Sequence, residues 1–172
     1  ALRQFQAPLG KFAVLGNHDY YGNAGEVANT LTAGGFHTLR NQAVQAGRNG
    51  AAIWIAGVED MSEGKPDLDA ALQPAKSGEF VLLLSHCPDF AEQAAAQEAV
   101  GLQLSGHSHG GQVRLPFYGH VVTPPYSKKY VMGHYAVGPA LQLYVNRGIG
   151  LSVYPIRFLC RPEVTLFTLR RG

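Results

Sequence analysis

Cysteine is nearly absent from this chain. Its 172 residues include two, Cys87 and Cys160, far apart and in no Cys-x-x-Cys unit. That excludes a disulfide framework and argues against a structural zinc site, which usually closes with thiolates. The two thiols read as free, partly buried packing groups and leave the compartment open. Charge is also scarce: Asp, Glu, Lys and Arg make up 15%, the formal net charge is +2, and there is no basic block. Arg170-Arg171 is too short for a nucleic-acid arm, so charge offers no argument for DNA or RNA. No apolar run reaches the ~18 residues of a membrane span, and the first residues do not read as a signal peptide. Ala1-Leu2-Arg3-Gln4 lacks an initiator Met, and a strand follows almost at once. A longer parent chain is therefore expected, with targeting information upstream. A cytoplasmic or peripheral-membrane placement is favoured over a secreted one.

Apolar residues, by contrast, make up 46% of the chain, enough for a sizeable core in one domain covering 1–172. Strands are expected at 12–15, 36–39, 80–84, 102–104, 135–137, 141–145 and 164–169. The run 80–84 is apolar throughout, as in a strand buried on both faces. Asn49-Gly50 predicts a hairpin joining 43–45 to 51–56. Asn23, followed by Glu26, predicts a capped helix over 24–33 that stops at Gly34-Gly35. Asp67 caps a short helix at 68–72. Pro88 at a first helical position opens another over 89–96. Pro116, Pro124, Pro125, Tyr118 and Tyr126 mark an irregular ordered loop within 112–135.

Three of the strands end in residues that ligate metals: Asn17 after 12–15, His86 after 80–84, and His107 and His109 after 102–104. Loops at the carboxyl ends of strands gather at one rim of an open α/β sheet, so the three motifs are expected to meet. Imidazole nitrogens and amide oxygens suit Zn, Mn, Fe or Co. His107 and His109 are two apart, and in extended backbone both rings point the same way. Each motif alone has a plain reading: His86 a core histidine, Asn17 a turn residue, His-x-His two surface histidines, His18-Asp19 a surface pair. Their company favours chemistry. In that reading His18 is a general acid whose ring Asp19 orients. Arg147 in a Gly-rich loop is either a phosphate contact or a surface arginine. Tyr20, Tyr21 and Gln112 flank the ligands and are expected to line the pocket.

Gly16-Asn17-His18-Asp19, the isolated His86 and Gly106-His107-Ser108-His109 resemble the last three motifs of the calcineurin-like metallophosphoesterases. The runs 13–22 and 104–116 are most similar to a bacterial branch that includes lipid-related pyrophosphatases. Asn146-Arg147-Gly148-Ile149-Gly150 and Arg161-Pro162-Glu163 are similar too, so the resemblance covers essentially the whole chain. It implies an α/β sandwich of two mixed sheets flanked by helices. It also implies a hydrolase of phosphomonoesters, phosphodiesters or pyrophosphates, lipid- or nucleotide-linked. Two divalent cations, Mn, Zn or Fe, would lie ~3.5–4 Å apart and share a hydroxide that attacks phosphorus in line. Position by position, Asn17, His86 and His107 would bind one cation and His109 the other. His18 would stand near the phosphate as acid or transition-state stabiliser.

The chain departs from that pattern in one respect. The family's two earlier motifs, Asp-x-His and Gly-Asp-x-x-Asp, do not occur, and no Asp or His precedes Asn17. Those motifs supply the carboxylates, one of them bridging the metals. The fold is therefore expected to be incomplete on its N-terminal side, with an open sheet edge that invites self-association. At most one ion would be well held, and this chain alone would be inactive or impaired. The alternative is a non-catalytic association module on the same scaffold.

Overall fold

A computed structural model of the chain describes residues 2–48 and 50–170; Ala1, Asn49, Arg171 and Gly172 lie outside the described residues. Its centre is a six-stranded mixed sheet in the order β3 (Gln42–Arg48), β4 (Ala51–Gly57), β5 (Val81–Leu84), β6 (Val100–Ser105), β10 (Leu141–Val145), β9 (Gly133–Val137). The four inner strands β4, β5, β6 and β10 run parallel, and the two edge strands run antiparallel to their neighbours. The carboxyl ends of the inner strands therefore share one rim. That rim carries Glu59-Asp60 after β4, His86 after β5, His107 after β6 and Arg147 after β10.

Alternation along the strands splits the core in two. Val81, Leu83, Leu143 and Val145 point to one face and are at most 1% exposed. On that face they meet Ala71 of α3 (Leu68–Leu72) and Ala91 and Ala94 of α4 (Ala91–Ala94), and Phe90. Each buried Val, Leu or Phe among them contributes roughly 1.5–3 kcal/mol. The opposite face presents Ile55, Leu82 and Leu102, still 7–9% exposed. Its cover is thin: Leu39, Phe12 and Val14, around the two-residue strands β1 (Phe12–Ala13) and β2 (His37–Thr38). The result is an α/β sandwich with helices on one side of the main sheet and a small second sheet on the other.

Several expected elements form as read. Asn23 Oδ1 accepts from the Gly25 and Glu26 N–H groups and starts α2 (Ala24–Ala33). Asp67 Oδ1 accepts from the Ala70 N–H and starts α3. The hairpin pairs β3 with β4 antiparallel, and Gly50 has the positive φ such a turn needs, +79°. Its partner in the Asn-Gly signal, Asn49, lies outside the described residues.

Other elements differ from expectation. The strands expected at 12–15 and 36–39 shorten to two residues each, because the chain turns at Val14-Leu15 into a helix, α1 (Asn17–Tyr21). The helix expected over 89–96 is a 3₁₀ turn, Pro88–Phe90, followed by the four residues of α4; three-residue bonds such as Ala96 N–H to Gln93 O tighten its end toward β6. The strand expected at 164–169 does not form, for among the described residues no strand lies alongside it. There Glu163 and Thr165 turn inward to Tyr144 and Asn146, while Val164 and Leu166 stay 88% and 93% exposed. The irregular loop after Gly111 contains one small ladder, β7 (Arg114–Leu115) with β8 (Gly119–His120).

Candidate metal centre

At the shared rim lies a cavity of about 190 Å³ lined by Gly16, Asn17, His18, Asp19, His86, His107 and His109, with Val14, Pro124 and Ser152. A larger open hollow of about 620 Å³ lies elsewhere, around Asn41, Glu59 and Asp67. It offers no imidazole, and Glu59 is already held by Arg40 while the Asn41 carbonyl accepts from Glu59 and Asp67 N–H. The chemistry is therefore in the smaller cavity.

Three lone-pair atoms converge there. His86 Nε2 is 3.1 Å from Asn17 Oδ1 and 3.0 Å from His107 Nδ1. The outward contacts settle which atoms point in. Asn17 Nδ2 donates to the Tyr21 hydroxyl at 3.0 Å, leaving Oδ1 free to face His86. His107 Nε2 is 2.8 Å from the Pro125 carbonyl, which only an N–H can satisfy, so Nδ1 keeps its lone pair. The set can be satisfied in two ways: by a proton on His86 Nε2 shared between the two acceptors, or by a cation. Burial, and next the nearby His107, push the His86 pKa well below its ordinary 6.5; burial lowers His107 and His109 likewise. All three rings are therefore held in the neutral form that binds metal.

Sequence places these atoms by local means. Asn17 and His18 sit on the first turn of α1, which starts where Asp19 Oδ2 accepts the Gly16 N–H at 2.8 Å. Gly16 is needed for space: a Cβ there would lie 2.5–2.7 Å from the His86 ring. His107 and His109 are not in extended backbone, contrary to expectation. Both adopt left-handed φ, +63° and +51°, about a helical Ser108. Such conformations cost roughly 1–2 kcal/mol each and persist only where the surroundings over-determine them. Here Ser108 Oγ donates to Val131 O at 2.5 Å, and Cys160 Sγ donates to His109 O at 3.1 Å. His109 Nδ1 is buried with no hydrogen-bond partner.

The other expected residues are placed variously. His18 is exposed at the mouth, its ring tilted against Tyr21 at 5.1 Å. The Asp19 carboxylate caps α1 and makes no hydrogen bond to the His18 ring. Tyr20 does not line the cavity; it lies toward Glu59, Arg40 and Asp60, and burial, then Glu59, raises its pKa. Tyr21, not Tyr20, borders the site. Gln112 also lies off the cavity, but its side chain clamps the backbone of Ser152, a lining residue. Arg147 is bound to Glu163 at 2.6 Å through Nε and does not line the cavity.

One residue went unrecognised in the sequence. Asp60 is fully buried below the rim; Oδ1 accepts from Ser62 and Glu63 N–H, and Oδ2 accepts from the Cys87 thiol at 3.3 Å. It follows β4 as His86 follows β5, so the strand-end rule that found the histidines also reaches it.

The residues fit one cation better than two. Among the described residues no group of three or more His, Cys, Asp or Glu is placed to hold a metal. The converging trio includes an amide, and no carboxylate joins it. His109, with its orphaned nitrogen, stands beside the trio without a partner ligand.

Comparison with known proteins finds relatives over nearly the whole chain. The chain is 45% identical over 172 residues to an uncharacterized metallophosphoesterase, YkuE, of Bacillus subtilis, covering 98% of this chain and 59% of that protein. It is 34% identical to an uncharacterized metallophosphoesterase of Aquifex aeolicus, covering 98% and 64%. It is 35% identical to the phosphodiesterase YaeI of Escherichia coli, covering 92% and 57%. The chain thus spans about six-tenths of the length of these relatives. No protein-family model and no solved structure matches it. Over 92–98% of its length the chain is thus similar to proteins named metallophosphoesterase or phosphodiesterase, in line with its resemblance to the calcineurin-like metallophosphoesterases.

Proposed function

We propose that this chain supplies cation-binding and substrate-facing residues of a metal-dependent phosphoester hydrolase. The observation that carries the reading is the convergence of Asn17 Oδ1, His86 Nε2 and His107 Nδ1, with His86 Nε2 3.0–3.1 Å from the other two, at a strand-end rim. Asn17, His86 and His107 would hold one divalent ion and His109 would contribute to a second; Mn, Zn and Fe all suit such donors. When bound, the ions stabilise negative charge on phosphoryl oxygens. The chain's own residues do the rest. His18, exposed at the mouth, donates a proton or hydrogen bond to the phosphoryl group or the leaving oxygen. Asp19 fixes the first turn of α1 and so the spacing of Asn17 and His18. Gln112 holds Ser152 at the cavity wall. The phosphodiesterase name of YaeI supports a diester among the substrates, and both lipid-linked and nucleotide-linked esters fall within the reading.

A second reading, an association module without catalysis, is favoured by one observation: no carboxylate completes the ligand set among the described residues. In that reading the edge strands β3 and β9 pair with a second copy. Elemental analysis with hydrolysis of bis-p-nitrophenyl phosphate in added Mn separates the two. It is run on this chain and on one lengthened upstream to match its relatives. Two metals and turnover in the lengthened chain are expected. Absence of metal and turnover from both would sink the hydrolase and leave the module.

A further inference from the structure

Two segments that reach the cavity wall carry apolar side chains left exposed among the described residues. Phe117 and Tyr118, at the tip of the β7–β8 hairpin, are 112% and 74% exposed, and Val153 and Tyr154 are 88% and 70% exposed. The two groups belong to one surface. Val113 bridges to Phe158, the Arg114 N–H donates to Phe158 O, and Gln112 ties down Ser152 and Tyr154. Pro124 and Ser152, on the same two segments, line the cavity itself. Phe117 and Val153 both hold left-handed backbone, φ +64° and +61°. That is unusual for an aromatic and rarer for a β-branched residue. Both side chains point outward, as their exposure shows.

Charge is segregated along the sequence, and the segments 115–122 and 149–158 contain no acid. After Glu98 the chain holds eight of its fourteen Lys and Arg but one of its twelve Asp and Glu. That one acid, Glu163, is consumed by Arg147, Tyr144 and Thr165. Among the described residues Arg114, Lys128, Arg157 and Arg161 form no ion pair. Arg114 and Arg157 donate to backbone carbonyls but keep their net charge, and cations outside ion pairs with protruding apolar side chains are the two signals that together hold a protein at an anionic bilayer surface. Apolar side chains protruding from two adjoining segments suit a fluid surface that closes around them.

We propose that the rim formed by 115–122 and 149–158 docks on an anionic lipid surface, with the mouth of the metal centre facing the headgroups. Docking requires no catalysis, so it is measured apart from turnover. The 172-residue chain is sedimented with sucrose-loaded vesicles of phosphatidylcholine alone, and of phosphatidylcholine with phosphatidylglycerol, at low and high salt. Binding is expected with phosphatidylglycerol and to weaken with salt. Phe117→Ser with Tyr118→Ser, checked for fold by circular dichroism, is expected to lower vesicle affinity by about tenfold or more, as lost apolar burial requires. Lys128→Glu with Arg161→Glu is expected to remove the preference for phosphatidylglycerol. Absence of binding to either vesicle overturns the proposal, as does binding that both double variants leave unchanged. So does a dimer in analytical ultracentrifugation that the Phe117/Tyr118 variant abolishes, which would make the face an interface between copies.

Discussion

A methyl group on Gly16 would stand 2.5–2.7 Å from three atoms of the His86 ring. The ring is rigid, and its Nε2 is committed to Asn17 and His107, so it cannot yield without leaving the trio. Gly16 itself has φ −110°, which alanine adopts freely. Gly16→Ala is thus expected to weaken Zn or Mn binding by about tenfold or more while shifting the melting temperature little. Calorimetric titration beside a thermal scan would show it, and undiminished affinity would mean that the trio does not hold the ion. Asp60 is the opposite case, a residue whose role is burial. Its carboxylate accepts two N–H groups and the Cys87 thiol. Burial, then the Asp60 charge, pushes that thiol up, so it stays protonated and donates. Asp60→Asn puts an amide in a place built for an acceptor. It is expected to cost roughly 1–3 kcal/mol in urea unfolding. In the unaltered chain Cys87 should resist a thiol reagent until unfolding, and rapid labelling of the folded protein would contradict the buried pair. Cys87 reads correctly as a packing thiol in the sequence. Asp60 is not legible there because Glu59-Asp60 resembles a polar loop, and nothing in the local pattern says which carboxylate turns inward.

Among the elements, the segment after β10 departs most from its sequence pattern. Val164, Leu166 and Leu169 are spaced as in a strand with one slip, yet without a strand alongside they stay outside, and Glu163 ties the segment to the sheet. Burial acts to raise the Glu163 pKa, but hydrogen bonds from Tyr144, Arg147 and Thr165 outweigh it and hold it near 2. The folded value lies below the unfolded one. The contribution to stability is therefore complete above about pH 4.5 and is lost as pH falls toward about 2. Glu163→Gln should lower the melting temperature at neutral pH, and the gap from the unaltered chain should close through that window. A gap independent of pH would assign the strap to packing and not to charge. Capped helices and the hairpin were legible because their signals are local: Asn23, Asp67 and the Asn-Gly pair act within three or four residues. Strand lengths at 12–15, 36–39 and 164–169 were not, because a strand ends where its neighbour ends, and register is a property of the partner. The backbone of His107 and His109 was illegible for a similar reason. Left-handed φ at both is imposed by Val131 and Cys160, distant in sequence.

At the scale of the whole molecule, the site divides along the same line as the core. The well-packed face of the main sheet carries α3 and α4, and the rim above holds the trio. The opposite face, 7–9% exposed at Ile55, Leu82 and Leu102, has only β1 and β2 over it. The four candidate ligand residues stand out in the sequence because each ends a strand or opens a turn at one rim. The Asp-x-His and Gly-Asp-x-x-Asp motifs do not occur in it, and among the described residues no carboxylate joins the trio. The two expected cations are therefore unequally held. One ion would have three neutral donors already gathered, with His86 Nε2 3.0–3.1 Å from the other two, and the second would have His109 alone. An ion bound only to the folded state at 100 times its Kd adds about 2.7 kcal/mol, or roughly 5–10 °C in a domain of this size. Zn or Mn is expected to raise the melting temperature by that much, and a chelator to reverse it. His107→Ala should abolish the shift, whereas His109→Ala should leave most of it. Equal losses in the two variants would mean that the ions are held as a coupled pair even in these 172 residues, with a bridging group drawn from a second copy. No shift in the unaltered chain would instead make the shared proton on His86, and not a cation, what satisfies the trio.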